Sequence, residues 1–310
     1  MKKEFNILTD LPKISGPKNL NFFLKFFIWL AILVFGGVLF LFFSKIMGII
    51  VTGLGIAHGI ELAHQALHDT GFTNSKLNRV SGFLFCFPSF ISFSAYRHSH
   101  LIHHRLVGTK EDSEFFTYNL TFGFFKRIFN FFLIPKYIDF LISTLRILKG
   151  EKYGNGQIPK DVELDIKCDI KITGLLLTAA YFLPFGDSNF LSFWLISQFF
   201  VAGVIHTLIE LPEHFNCEKL NTDIKYNTRT IQAGRLMTWF TNGNNYHIEH
   251  HEYPLVLPEF THLVHPIATK GSPNINESYI DFVLNDFFKI ERANYNWNFI
   301  NHVFNPRKPL

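Results

Sequence analysis

The chain has 310 residues, of which 48% are hydrophobic and only 17% charged, and 38 are phenylalanine; soluble domains carry about 25% charged residues. The net charge of +4 is scattered between apolar stretches and gives a nucleic-acid partner no support. Cys86, Cys168 and Cys217 lie far apart without CxxC spacing, so neither a disulfide framework nor a thiolate metal site is expected, and the solvent this composition fits is the bilayer.

Residues 1–21 form a polar N-terminal tail without the features of a cleaved secretory signal, so the first apolar run is expected to stay in the protein. Residues 26–43 are unbroken apolar sequence, and after Ser44-Lys45 a second run continues to about residue 63. A hydrocarbon core of about 30 Å needs roughly 20 helical residues. The segment 26–63 is therefore expected to be a first transmembrane hairpin with a very tight turn, ending beside His64.

The run 80–93 is shorter and holds Pro88, which suits a re-entrant or interfacial element. From 115 to 148, aromatic clusters alternate with Lys126, Arg127, Lys136 and Arg146, the pattern of helices in the headgroup region. A soluble amphipathic helix pair is the competing reading. Residues 170–209 then read as a second hairpin around the turn Gly186-Asp187-Ser188-Asn189. Lys2, Lys3, Lys13, Lys18 and Lys25 precede the first span, whereas the two outer turns hold only Lys45, and this asymmetry places both termini in the cytoplasm. The expected fold is an all-α integral membrane protein formed as a single domain over 1–310. Four transmembrane helices are joined by interfacial helices and a cytoplasmic histidine-rich cap, 210–310, whose last part from about 269 is polar.

This topology puts 64–169 and 210–310 on one side of the membrane, and those segments hold three histidine clusters. In HQALHD, His64 and His68 are four apart, a spacing that puts both rings on one helix face. The same spacing is common on ordinary helix surfaces. In YRHSHLIHHRL, His100, His103 and His104 form an HxxHH pattern on a common side, while His98 points elsewhere on a helix. NNYHIEHHEYP repeats the pattern with His247, His250 and His251. The repetition argues for metal ligands over histidines of an ordinary core. Imidazole suits iron, copper, nickel and zinc alike, but a structural zinc closes with four ligands. Eight clustered histidines are too many for one ion and suit two that keep positions open.

At HQALHD, HLIHH and HIEHH the sequence resembles the membrane fatty acid desaturase family. The resemblance runs from about 46 to 265 and includes GTKEDSEFF, LPEHFNC, NTRT and the LP after NNYHIEHHEYP. It implies two iron ions held by His64, His68, His100, His103, His104, His247, His250 and His251, with His214 as a ninth ligand in preference to His206. His58, His98, His262, His265 and His302 match no ligand position. Glu61, Asp69, Asp112, Glu213, Glu249 and Glu252 are candidates to orient ligand rings, and Arg97 and Arg229 occupy family-like positions without an assignable role.

The activity implied is that of an O2-dependent oxidoreductase that leaves a cis double bond in an acyl lipid or acyl thioester. The chemistry belongs to the metals, so no general base is assigned. No cytochrome, nucleotide-binding or ferredoxin-like motif is found in the sequence, so electrons are expected from a separate donor such as a ferredoxin or cytochrome b5. His247 in place of glutamine disfavours the subgroup acting near the carboxyl end, and Tyr96, where many members have tryptophan, leaves the substrate subgroup open. A hydroxylase or ketolase of a carotenoid, sphingoid base or other alkyl chain is the alternative within the same superfamily. A metal transporter would place its ligands inside the spans, where only His58 and His206 fall.

Overall fold

A computed structural model describes residues 7–112, 124–149 and 158–289. Lys2, Lys3, the end of GTKEDSEFF, the start of the 115–148 run and His302 lie outside the described residues.

The polar tail is not an appendage. It contains helix α1 (Ile7–Ile14), and Ile14 packs with Val256 and Val264. The backbone joins the same segment through Gly16 N to Leu255 O at 3.1 Å and Leu257 N to Ile14 O at 3.0 Å. Leu11 and Ile14 are apolar residues whose partners lie far along the chain, which is why local composition reads them as tail.

Helix α2 (Asn19–Phe42) starts seven residues before the apolar run that announces it and is followed, after Phe43 and Ser44, by α3 (Lys45–Leu67). Ser44 caps α3 by accepting a hydrogen bond from Met47 N. The two helices approach closely where small residues meet backbone, as membrane helices do: a Cβ on Gly48 would lie 2.5 Å from Phe40 Cβ, and one on Gly36 2.9 Å from Thr52 N. Trp29 Nε1 donates to Gly55 O at 3.0 Å.

After α3 the chain turns through α4 (Ser75–Cys86) and a 3-10 turn at Phe87–Ser89 into α5 (Phe93–Leu106). Asn74 and Ser92 cap α4 and α5. The run 80–93 is therefore divided between α4, the turn and the start of α5, with Phe90 in the left-handed region at φ 60°. Helices α6 (Phe124–Phe131) and α7 (Ile134–Leu148) follow, and α7 exposes Ile138, Leu141, Ile142 and Leu145 while Phe140 faces the core.

Helix α8 (Lys160–Phe182) begins ten residues before the apolar run 170–185, and its first half is charged. Asp169 is buried there, taking Arg79 from α4 and hydrogen bonds from Ser92 Oγ (2.8 Å) and Ser94 N (3.0 Å). A two-stranded hairpin, β1 (Pro184–Phe185) and β2 (Ser188–Asn189), leads into α9 (Phe190–His214), which contains a π-helical turn at Gln198–Ala202. Lys45 pairs with Asp187 at 2.5 Å, so the turns of both hairpins meet at one end of the bundle. Among the described residues three helices, α2, α3 and α9, are long and apolar enough to cross a membrane; α8 is long enough, but the charges of its first half set it apart.

Beyond α9 come α10 (Ile224–Asn227), β3 (Thr230–Ile231), α11 (Arg235–Phe240), α12 (His247–Glu252), α13 (Thr261–Ala268) and β4 (Ile275–Asn276), the last parallel to β3.

Packing along α3 makes a direct test. A Cβ on Gly53 would sit 2.7 Å from Val201 Cγ1 and 2.8 Å from Ser197 O, whereas one on Gly174 meets nothing within 4 Å. Gly53→Ala is expected to cost about 1–3 kcal/mol by overpacking and to lower the thermal unfolding midpoint in detergent. Gly174→Ala is expected not to lower it.

Candidate metal centre

The last turn of α3 supplies His64 and the residue just beyond it His68, while α5 supplies His100, His103 and His104. The end of α9 supplies His214, and α12 supplies His247, His250 and His251. The nine fall into two groups. His64, His68, His100, His104 and His250 form one, His103, His214, His247 and His251 the other, and in each the facing atoms lie within 4.8 Å of one another. The groups adjoin, with the rings of His104 and His251 stacked 4.3 Å apart.

Each HxxHH element is divided between the groups, a refinement of the common side expected from spacing. Successive residues on a helix are rotated by about 100°, so His100 and His104 align while His103 turns toward the second group. In α12 the pair His247 and His251 aligns and His250 turns to the first.

Hydrogen bonds set the tautomers of three of the four rings in the second group. His103 Nδ1 donates to the buried Asp112 carboxylate at 2.9 Å, His214 Nδ1 to Asn227 O at 2.9 Å, and His247 Nδ1 to Asn244 Oδ1 at 3.2 Å. Each leaves Nε2 as a lone pair, and His214 Nε2 is buried without a hydrogen-bond partner. In the first group His100 Nε2 lies 2.9 Å from His64 Nε2, 3.1 Å from His68 Nε2 and 3.0 Å from His104 Nε2, and His104 Nε2 lies 2.9 Å from His250 Nε2. A single ring nitrogen donates one hydrogen, so these contacts cannot all be hydrogen bonds. A shared cation satisfies them together, and the donor set fits one in each group.

Burial first, then mutual repulsion, holds His68, His100, His104, His247, His250 and His251 well below the ordinary histidine range. The rings are thereby kept neutral, the form that binds metal.

Of the six carboxylates singled out in the sequence, Asp112 orients a clustered histidine through Nδ1. Glu213 Oε2 lies 3.4 Å from His247 Nε2, and Glu213 Oε1 accepts from Asn244 Nδ2 at 2.8 Å. Glu249 accepts from Thr230 Oγ1 at 2.6 Å and pairs with His265. Asp69 pairs with Arg97, Glu61 faces His206 and Glu252 is exposed. His58 donates from Nδ1 to Phe240 O at 2.6 Å. His58, His98, His206, His262 and His265 belong to neither group.

Both arginines acquire a place. Arg97 Nε donates to Leu67 O at 3.0 Å, holding the end of α3. Buried Arg229 donates to Pro212 O (3.2 Å) and Phe215 O (3.0 Å), the carbonyls on either side of His214, and to Asn276 Oδ1 at 2.6 Å. The Asn227 carbonyl and Asn244 were missed in the sequence; the only signal was asparagine three residues before His247.

A cavity of about 510 Å³ adjoins the groups. His64, His100, His103, His214 and His247 line one part of it, and Ile60, Phe90, Phe140, Ile166 and Ile170 another.

The fatty acid desaturase family model matches residues 44–282. The chain belongs to the fatty acid desaturase family. Among its relatives is the Delta(5) fatty acid desaturase fat-4 of Caenorhabditis elegans, 30% identical over 114 residues. That match covers 32% of this chain and 25% of the length of the relative. In this desaturase-family protein the match begins at the cap of α3 and takes in every one of the nine histidines.

Two outcomes follow for the site. Asp112→Ala frees the His103 ring and is expected to weaken metal binding about 10–100-fold, measured by competition titration. In the metal-free protein, an unfolded chain takes protons on these rings near pH 6.5, whereas the folded chain does so only well below it. The unfolded state then binds more protons in that window, so stability is expected to fall as pH drops below 6.5 and to be insensitive to these rings above it. Thermal unfolding across that pH range checks the sign.

Proposed function

We propose that this protein is an O2-dependent di-iron desaturase of the membrane that introduces a double bond into a lipid acyl chain, with electrons from a separate donor protein. The observation that carries the reading is a pair of adjoining imidazole groups, one of five and one of four, facing an apolar-walled cavity. A group of five exceeds the four ligands of a closed structural zinc, and a set of neutral nitrogens without thiolate suits iron.

In this reading His64, His68, His100, His104 and His250 hold one iron and His103, His214, His247 and His251 the other. The bound irons supply oxygen activation and cleavage of an unactivated C–H bond. Asp112, Asn227 and Asn244 fix ring orientation, and Arg229 fixes the backbone around His214. Ile60, Phe90, Phe140, Ile166 and Ile170 supply the wall against which methylene groups pack and from which water is excluded.

The topology proposed has four spans, with α8 as the third in chain order, and both termini and the centre on the cytoplasmic side. The Lys45–Asp187 contact supports this by joining the hairpin turns away from the histidines. The substrate is an acyl lipid or acyl thioester, and the donor a ferredoxin or cytochrome b5.

Reconstitution with iron, O2, a reductase and donor, followed by mass spectrometry of the acyl chains, tests the reaction. A product lighter by two hydrogens supports it; one heavier by an oxygen makes the protein a hydroxylase. Unchanged chains in iron-loaded, reducible protein defeat both.

His64→Ala and His250→Ala are expected to abolish turnover and reduce iron content with membrane insertion intact. The exposed His262→Ala is expected to keep both. Full iron content in the first two variants breaks the ligand assignment.

A further inference from the structure

One set of titratable groups in the cavity belongs to neither histidine group. His206 of α9 and Glu61 of α3 are each 2% exposed. His206 Nε2 lies 3.1 Å from Glu210 Oε1, and His206 Nδ1, without a hydrogen-bond partner, lies 3.7 Å from Glu61 Oε1. Glu61 Oε2 is also buried without a partner. On the outer side, Glu210 Oε2 is 3.4 Å from Nζ of Lys136 on α7, whose side chain is 45% exposed. All four residues line the same cavity as His64 and His247, and Asp139 and Glu213 complete its charged lining.

Ionisable side chains inside membrane helices are costly and mark ion or proton pathways when they persist. At the inner end of this set His206 Nδ1 and Glu61 Oε2 are buried without a close hydrogen-bond partner, and Asn244 lies beside Glu61. An imidazole with one nitrogen toward each of two carboxylates can accept a proton on one side while releasing one on the other. The 3.7 Å gap to Glu61 is closed by a small side-chain shift or one bridging water.

We propose that Glu210, His206 and Glu61 form the path by which protons pass from the surface at Lys136 along the cavity toward the histidine groups during turnover. The inference rests on the desaturase reading. Forming one double bond removes two hydrogens from neighbouring methylene carbons; these, with two electrons from the one-electron donor protein and two protons from water, reduce O2 to two waters. The two protons must reach a group of histidines most of which are buried. Glu210 takes each one beside Lys136 and passes it to His206 Nε2, and Nδ1 releases one to Glu61, which faces the cavity. These are relay residues and hold neither metal nor substrate.

The test uses full-length, iron-loaded protein in lipid nanodiscs, comparing wild type with His206→Ala, Glu61→Gln and Lys136→Met. His206→Ala is expected to keep its iron and to turn over on the order of a hundredfold more slowly, the scale of a lost proton-transfer group. It should consume more O2 per double bond, show a larger solvent deuterium isotope effect and recover with added imidazole. Glu61→Gln should share the first three effects without rescue, and Lys136→Met should slow turnover less.

A second readout needs no metal. In metal-free protein with nitrogen-labelled histidine, the ring signal lost in His206→Gln should shift in both Glu61→Gln and Glu210→Gln. Wild-type turnover and O2 coupling in His206→Ala, or a His206 signal insensitive to Glu61→Gln, overturns the path. If His206→Ala loses iron, Glu61→Gln decides: wild-type coupling in it overturns the path, and uncoupling with iron retained supports it. Wild type that leaves every acyl chain unchanged refutes the desaturase reading instead, while the nitrogen signals still decide whether the chain of contacts exists.

Discussion

Helix α3 is the axis on which the rest of this structure is hung, and what makes it so is close packing through small residues. Gly48 meets the backbone of α2 at Phe40, Gly53 meets Val201 and Ser197 of α9, and Gly59 lies against Trp29 and the Phe85 carbonyl. Larger side chains at these places would push the neighbouring helices outward. From Gly55 to Leu67 every residue of α3 is buried, so the helix delivers His64 and His68 into a protein interior and not into lipid or water. Membrane helices gain little from apolar burial against one another, and the shape of these contacts is what holds the ends of α3, α5 and α9 in register.

That register solves an electrostatic problem. Nine imidazoles are brought together at the end of an apolar bundle, and for His68, His100, His104, His247, His250 and His251 burial and mutual repulsion both oppose protonation. Neutral rings still leave one acceptor nitrogen each. Three rings of the second group turn their N–H outward onto Asp112, Asn227 and Asn244 and thereby point lone pairs inward. The five rings of the first group crowd their Nε2 atoms together. Convergent lone pairs without enough hydrogens call for cations, and cations bound in the two groups would tie α12 to α3 and α5.

The apolar half of the cavity and its polar half come from different elements for the same reason. Phe140, Ile166 and Ile170 are contributed by α7 and α8, helices with one apolar face. Glu61, His206 and Glu210 come from the inner faces of α3 and α9. Apolar and ionisable side chains therefore line one space from different helices.

Much of this was legible beforehand because it is periodic. The runs 26–43 and 46–63 show as long apolar stretches, the hairpin at 186–189 as turn residues within 170–209, and the histidine clusters as repeated spacings that a helix converts into faces. Membership of the fatty acid desaturase family follows from those motifs and was borne out by the match over 44–282. The charged start of α8 was not legible, because Asp169 is tolerable in a long helix only with Arg79, Ser92 and Ser94 beside it, and those partners are distant in sequence. The N-terminal helix was hidden for the same reason.

Local spacing determined which histidines belong together on a helix, since a rotation of about 100° per residue is a property of any helix. It could not decide that His104 shares a group with His250 while His103 shares one with His251, or that His214 joins them and His206 does not. Those assignments depend on how α3, α5, α9 and α12 cross, and crossing is fixed by which side chains interlock, a property of the folded chain alone.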